Sequence, residues 1–323
     1  MLRNFRALVS HRYLSAISRG CQGRGVKTAA SGSDIVDVWK ARLEELNVPD
    51  VKSSLDNILA HVLNQKQVYD LSDRKDLALS QEQLEHFEKL CHCRVARMPI
   101  QYIVGEWEFR DLHLKMQPPV FIPRPETEEL VELILQKQEP TRPVTFLEIG
   151  CGCGAVSLAL LKALPMAKCK AVDQSSMACL LTLKNAIYQK LSDRISVSQH
   201  KVSDRVKDDD FSVKFDFIVS NPPYISSRDL MDLDPEIRLY EDLRALDGGE
   251  TGMNVITAVL KVASKFLTED GTLWLEVDSH HPELVVRYLD IHKSSLKLKF
   301  VASYPDLFQN ERFIEIVRDV QEK

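Results

Sequence analysis

From residue 144 to the end of the chain, short apolar runs alternate with helical stretches, and this alternation limits the fold more than any other feature. Strands are predicted at 144–149, 169–172, 195–198, 215–220, 272–277, 298–302 and 313–317, with helices at 155–164 and 253–266 among the segments between them. Seven strands mostly separated by helices make an α/β domain built on a doubly wound sheet. In such a sheet a ligand sits outside the carboxyl ends of the first strands.

A chain of 323 residues is long for one domain, and the residues before 144 follow a different rule. Ile35, Val38, Trp39, Leu43 and Leu46 recur at helical spacing, as do Leu55, Ile58, Leu59, Val62 and Leu63. A third helix is predicted to start at a capping box, Ser80 with Gln83, and to bury Leu84, Phe87, Cys91 and Val95. Residues 34–98 are therefore read as a small helical bundle without a reactive cluster, a docking domain for a protein substrate. Cys91, His92 and Cys93 lack metal-ligand spacing and are read as helix-face residues. After Pro99 the period changes to two around Tyr102, Val104 and 105–116, which predicts a hairpin linker over 99–120. Pro118, Pro119, Pro123 and Pro125 stiffen the entry to the second domain, 121–323.

Residues 1–33 carry Arg3, Arg6, Arg12, Arg19, Arg24 and Lys27 but no acid, and no unbroken apolar core for secretion. That composition is expected of a mitochondrial transit peptide, which places the protein in the matrix. Setting those six aside leaves 36 basic residues against 47 acidic ones, which argues against a nucleic-acid partner. No apolar run reaches the ~18 residues of a membrane span. Seven cysteines in a chain of this size fit a reducing compartment.

Gly150, Gly152 and Gly154 turn the first strand into a helix, and absent side chains there let a ligand approach the backbone. Asp173, at the end of the second strand, can accept from a ribose diol. The G-x-G-x-G spacing differs from the pyrophosphate fingerprint, and Glu148 before the turn disfavours a diphosphate. Together these favour S-adenosylmethionine, whose sulfonium is positive, over a dinucleotide. Cys151 and Cys153 within the loop are read as small fillers rather than as metal ligands. Asn221-Pro222-Pro223-Tyr224 follows the fourth strand. The Asn221 oxygen and the Pro222 carbonyl can each accept one N–H of a planar NH2 group, and Tyr224 can stack on it. An amide nitrogen held this way can be aligned with a sulfonium methyl group. No dedicated base is required, so the chemical step is expected to be flat between about pH 6.5 and 9.

With Pro123-Arg124-Pro125-Glu126-Thr127-Glu128 and Leu275-Glu276-Val277, these motifs resemble the HemK family over roughly residues 34–318. Its members are protein glutamine-N5 methyltransferases acting on the Gly-Gly-Gln loop of peptide-chain release factors. The resemblance implies a seven-stranded, doubly wound, Rossmann-like methyltransferase domain behind a helical domain and a hairpin. It makes Asn221, Pro222, Pro223 and Tyr224 the glutamine clamp. Gly150, Cys151, Gly152, Cys153, Gly154, Asp173, Asp204, Arg205 and Asn221 become the cofactor contacts. Together with the leader it implies a mitochondrial member, acting as a monomer on a release factor. This chain departs from the family at Cys151 and Cys153 in place of Thr or Ser, at Asp242 in place of Pro, and at Asp278 and His281 in place of Gly and Gln. Arg205 stands where an aromatic usually covers adenine. The alternatives are an amino DNA methyltransferase, which uses a similar clamp, and a non-catalytic assembly factor.

Overall fold

The computed structural model describes residues 32–65 and 78–319, so the basic leader lies outside the described residues up to position 31. The chain divides into two compact units, one ending at Gly105 and one beginning at Glu106.

The first unit contains helices α1 (Gly32–Glu45), α2 (Val51–Val62), α3 (Gln81–Val95) and α4 (Ile100–Val104). Ile35, Val36, Trp39 and Leu43 form the buried stripe of α1, whereas the expected Val38 and Leu46 are 53% and 47% exposed. At 100° per residue Val38 turns away from that stripe, and Leu46 lies past the last helical residue. The capping box opening α3 is present: Ser80 Oγ accepts from the Gln83 amide at 3.2 Å, and Gln83 Oε1 from the Ser80 amide at 2.9 Å. Phe87 and Cys91 are fully buried, and His92 meets the Trp39 ring edge-on at 4.8 Å. The period-two reading fails at Tyr102 and Val104, which lie in α4. Pro99 starts that helix by accepting from the Tyr102 and Ile103 amides, and Gly105, at φ 75°, ends it.

The second unit opens with a hairpin, β1 (Glu106–Phe109) and β2 (Leu112–Lys115). Helix α5 (Thr127–Gln136) follows, then β3 (Thr145–Ile149), α6 (Ala155–Ala163), β4 (Lys168–Asp173), α7 (Ser176–Tyr188), β5 (Ile195–Gln199) and β6 (Phe215–Ser220). The remainder is α8 (Pro235–Tyr240), α9 (Asn254–Phe266), β7 (Leu267–Glu276), α10 (His281–Ile291), α11 (Lys293–Leu296), β8 (Leu298–Pro305) and β9 (Glu311–Arg318). The hairpin is fastened rather than loose. Lys115 N donates to Asn185 Oδ1 at 2.7 Å, Gln189 Nε2 to the His113 carbonyl at 2.5 Å, and Lys162 Nζ to the Asp111 carbonyl at 2.6 Å.

The seven-stranded sheet has the order β5-β4-β3-β6-β7-β9-β8. Strands β3 to β7 pair in parallel, and β9 pairs antiparallel with β7 and β8. Strand β7 starts earlier than the expected residue 272, because Leu267 already pairs with Phe215 ahead of a register shift. Leu147, Phe217, Ile218, Val219, Leu273, Trp274 and Leu275 are all fully buried. Strands covered on both faces carry continuous apolar runs, which is why these were visible in the sequence. After β3 the chain builds β4 and β5 on one side, then returns to lay β6 on the other. The crevice between β3 and β6 at their carboxyl ends is the topological switch point.

Candidate active site

The loop leaving β3 is held open by three glycines at positive φ: 79° at Gly150, 55° at Gly152 and 86° at Gly154. Their reasons differ. A Cβ on Gly152 would meet nothing within 4 Å, so its side lies open to the crevice, whereas one on Gly154 would press on Thr182 at 3.0 Å and Leu158 at 3.1 Å. Asp173 ties the loop to β4: one carboxylate oxygen accepts from the Gly152 amide at 3.0 Å, the other from the Ser175 amide at 2.8 Å. Burial raises the pKa of Asp173, and these two amides oppose the rise. From α7, Thr182 Oγ1 donates to the Gly152 carbonyl at 3.0 Å and Asn185 Nδ2 to the Cys153 carbonyl at 2.8 Å. Cys151 and Cys153 are buried, 3% exposed each, and burial pushes the Cys153 thiol to about 12.

Glu148 requires a correction. Its carboxyl is turned under the loop, where Oε2 accepts from the Ser157 amide in the first turn of α6 at 3.1 Å. Burial pushes its pKa to about 8, so near neutral pH it is largely protonated and exerts less field on the crevice than the sequence suggested.

At the end of β6, Ser220 Oγ donates to the Ile149 carbonyl at 2.7 Å and locks this strand end to that of β3. Asn221 follows, half-buried, with Nδ2 donating to Thr127 Oγ1 at 3.3 Å. Glu276, 2% exposed at the end of neighbouring β7, has its pKa pushed to about 7 by burial, with the Thr127 and Asn221 side chains opposing the rise. Tyr224 turns back toward the protein. Its ring lies 6.2 Å from that of His281, Arg312 donates to its hydroxyl at 3.4 Å, and burial pushes its pKa to about 12. Gly248 and Gly252 pack tightly behind it, since a Cβ on Gly252 would stand 2.4 Å from the Tyr224 carbonyl oxygen. Asp278, His280 and His281 bring possible ligand atoms within 4.8 Å of one another. Asp278 is nonetheless already bound to His280 Nδ1 at 2.5 Å, and Arg312 adds positive charge at that corner.

The cleft so framed encloses about 820 Å³, including its open mouth. Gly150, Gly152, Asp173, Asn221, Pro222 and Pro223 all line it. Tyr224, Cys151, Cys153 and Gly154 are not among its lining residues, and neither are Asp204 and Arg205. Asp204 faces an adjoining cavity, and Arg205 is exposed. Beyond β5 the wall is made by His200, Lys201 and Val202, and from α9 by Val255. Val120 and Phe121 cover one side. Glu241 holds their segment in place, accepting from the Ile122 amide at 3.3 Å and from Arg124 at 2.8 Å, while the Asp242 amide donates to the Pro119 carbonyl at 2.7 Å.

Sequence reasoning missed Thr182, Asn185 and Glu241 as supports. Thr182 and Asn185 are three residues apart on an otherwise apolar helix face and fully buried, a pattern that marks polar side chains committed to a fixed partner. Glu241 had no such local signal.

Residues 114–234 match the methyltransferase small domain family, and residues 34–105 match the PrmC N-terminal domain family. A human protein named MTRF1L release factor glutamine methyltransferase is 42% identical over 90% of this chain and 88% of its own length. A release factor glutamine methyltransferase from Geobacter sulfurreducens is 34% identical over 78% of this chain and 86% of its own.

Proposed function

Because the chain belongs to the release factor glutamine methyltransferases, we propose that it methylates the side-chain nitrogen of the glutamine in the Gly-Gly-Gln loop of a peptide-chain release factor, using S-adenosylmethionine. One observation supports this chemistry above others: Asn221 and Pro222 reach into the same cleft as the glycine loop and Asp173. An amide clamp and a nucleoside cradle thus share one space.

The residues present fit the cofactor. Gly152 leaves room where any other residue would place a Cβ, Ile149, Ala178, Val202 and Val255 give apolar walls, and the Asp173 oxygens retain lone pairs beyond the two amides they accept. When bound, S-adenosylmethionine supplies an electrophilic methyl group on a positive sulfur, which departs as a neutral thioether. Asn221 Oδ1 and the Pro222 carbonyl each accept one N–H of the glutamine amide. That fixes the plane of the amide and aims its nitrogen, a poor nucleophile, along the line of transfer. The nitrogen forms the new N–C bond and releases one proton to water. Ser220, bonded to the end of β3, keeps the clamp and the glycine loop from separating.

Mass spectrometry of a Gly-Gly-Gln-containing release factor, incubated with the protein and S-adenosylmethionine, tests the reading. A methyl increment on that glutamine is expected, and an unmodified glutamine overturns it. The reading extends to the mitochondrial matrix, on the strength of six basic and no acidic residues in the first 33. Deleting residues 2–33 should leave the protein in the cytosol with its activity retained, and continued import would refute the assignment.

A further inference from the structure

Three side chains that meet behind the clamp come from three separate elements. Thr127 opens α5, Asn221 follows β6 and Glu276 ends β7; Thr127 and Glu276 are each 2% exposed. Asn221 Nδ2 donates to Thr127 Oγ1 at 3.3 Å, and the side chains of both favour the ionised form of the neighbouring Glu276 carboxyl. Glu276 Oε2 is buried and has no hydrogen-bond partner among the described residues, so this carboxylate is still in want of donors.

The inventory of donors sets the direction of these bonds. An ionised carboxylate only accepts, a hydroxyl has one proton to give, and an amide NH2 has two. Thr127, which accepts from Asn221, therefore has its one proton to offer the unpartnered carboxylate of Glu276, and the second N–H of Asn221 is the other donor at hand. The amide nitrogen is thereby pinned on the protein side, which leaves Oδ1 on the opposite side of the planar group. An unpinned amide could turn over and offer N–H groups where the substrate needs an acceptor. The prolines at 123 and 125 stiffen the approach to Thr127 and give the motif at 123–128 a physical purpose.

We propose that Thr127 and Glu276 are positioning residues for methyl transfer, locking the Asn221 amide so that its oxygen is the atom offered to the substrate N–H. This inference rests on the functional reading above.

Thr127→Val keeps the volume and deletes the hydroxyl. Its kcat on the release factor should fall about 10-fold or more, with KM for S-adenosylmethionine unchanged within about 2-fold. Thr127→Ser, which restores the hydroxyl, should recover kcat to within about 3-fold of wild type. A Thr127→Val protein that merely melts earlier, with full kcat while folded, overturns the proposal.

Glu276→Gln is the second arm and decides the matter should Thr127→Val fail to fold. A glutamine both donates and accepts, so the bond directions are no longer forced. Burial above all opposes the ionised form of Glu276, as does Glu126, while the Thr127 and Asn221 side chains and Arg312 favour it. The balance leaves its pKa at about 7, so wild-type kcat should decline on the acid side of neutrality, replacing the flat profile expected from sequence. Glu276→Gln should be slower and show no such decline. Full kcat in Glu276→Gln, or a wild-type profile flat from roughly pH 6 to 8, refutes the lock. A wild-type protein that leaves the release factor unmethylated refutes instead the functional reading on which it stands.

Discussion

Both units bury polar and charged side chains, but they use them differently. In the helical unit Arg94, 4% exposed, donates to Ser54 Oγ at 3.1 Å and to the carbonyls of Pro49 at 3.1 Å and Met98 at 3.3 Å. Those bonds close on the unit's own connections and spend the cation on structure. In the second unit Asp173, Thr182, Asn185, Glu241 and Thr127 bond to the segments that frame one cleft. Burial of polar groups alone therefore does not mark a site. What marks it is convergence of their bonds on groups that remain open to a ligand.

The contrast is broken most directly at Asn221. Asn221→Ala should lower methyl transfer about 10²-fold or more while leaving thermal unfolding unchanged, read by release-factor methylation and by melting curves. A wild-type rate would show that the convergence has no chemical meaning. Arg94→Met is the counterpart. It strands Ser54 and two carbonyls and should cost the helical unit about 2–3 kcal/mol in denaturant unfolding, with kcat on a short Gly-Gly-Gln peptide unaltered. A fall in that kcat would blur the distinction between the units.

Removing residues 34–98 sharpens it further. The second unit keeps its complete sheet and its own hairpin. If the helical unit docks the release factor, kcat/KM on the intact factor should drop about 10-fold or more and that on the short peptide by less than about 3-fold. Equal losses on both substrates would deny the docking role.

Legibility in the sequence follows the same division. Strands β3, β6 and β7 announced themselves as apolar runs, and the glycines and Asn221-Pro222-Pro223 as turns, because each is a local pattern. The supports are not local. Thr182 and Gly152 are 30 residues apart, Asn221 and Thr127 are 94, and Arg124 and Glu241 are 117, and no period in the chain encodes such pairs. Tyr224 was expected to stack in the clamp, but its ring turns back toward the protein, since tight packing of Gly252 against its carbonyl and the Arg312 bond to its hydroxyl help fix it. The helix at 100–104 was missed for a related reason: five residues are too few to establish a period.

The smallest effect concerns Glu148, the acid buried beneath the glycine loop. Its pKa in the folded protein is about 8, raised by burial from an ordinary value near 4.5, with the Ser157 bonds opposing that rise. A raised folded pKa means that this group's contribution to stability is complete below the unfolded value and is lost as pH climbs through the folded one. Asp111, Asp242, Asp278 and Asp306 have lowered values and act only at the acid end of the scale, outside this window. Asp173, Glu241 and Glu276, raised by burial, share the trend, while His92 and His281, lowered mainly by burial, oppose it, so the wild-type slope alone is ambiguous. The difference between wild type and Glu148→Gln cancels them, because all five remain in both. Between pH 5 and 8 the melting temperature of wild type should fall by roughly 5 °C relative to that of Glu148→Gln. Parallel melting curves would mean that Glu148 stays ionised beneath the loop, and the field expected from the sequence, favourable to a sulfonium and hostile to a diphosphate, would then act on the cleft after all.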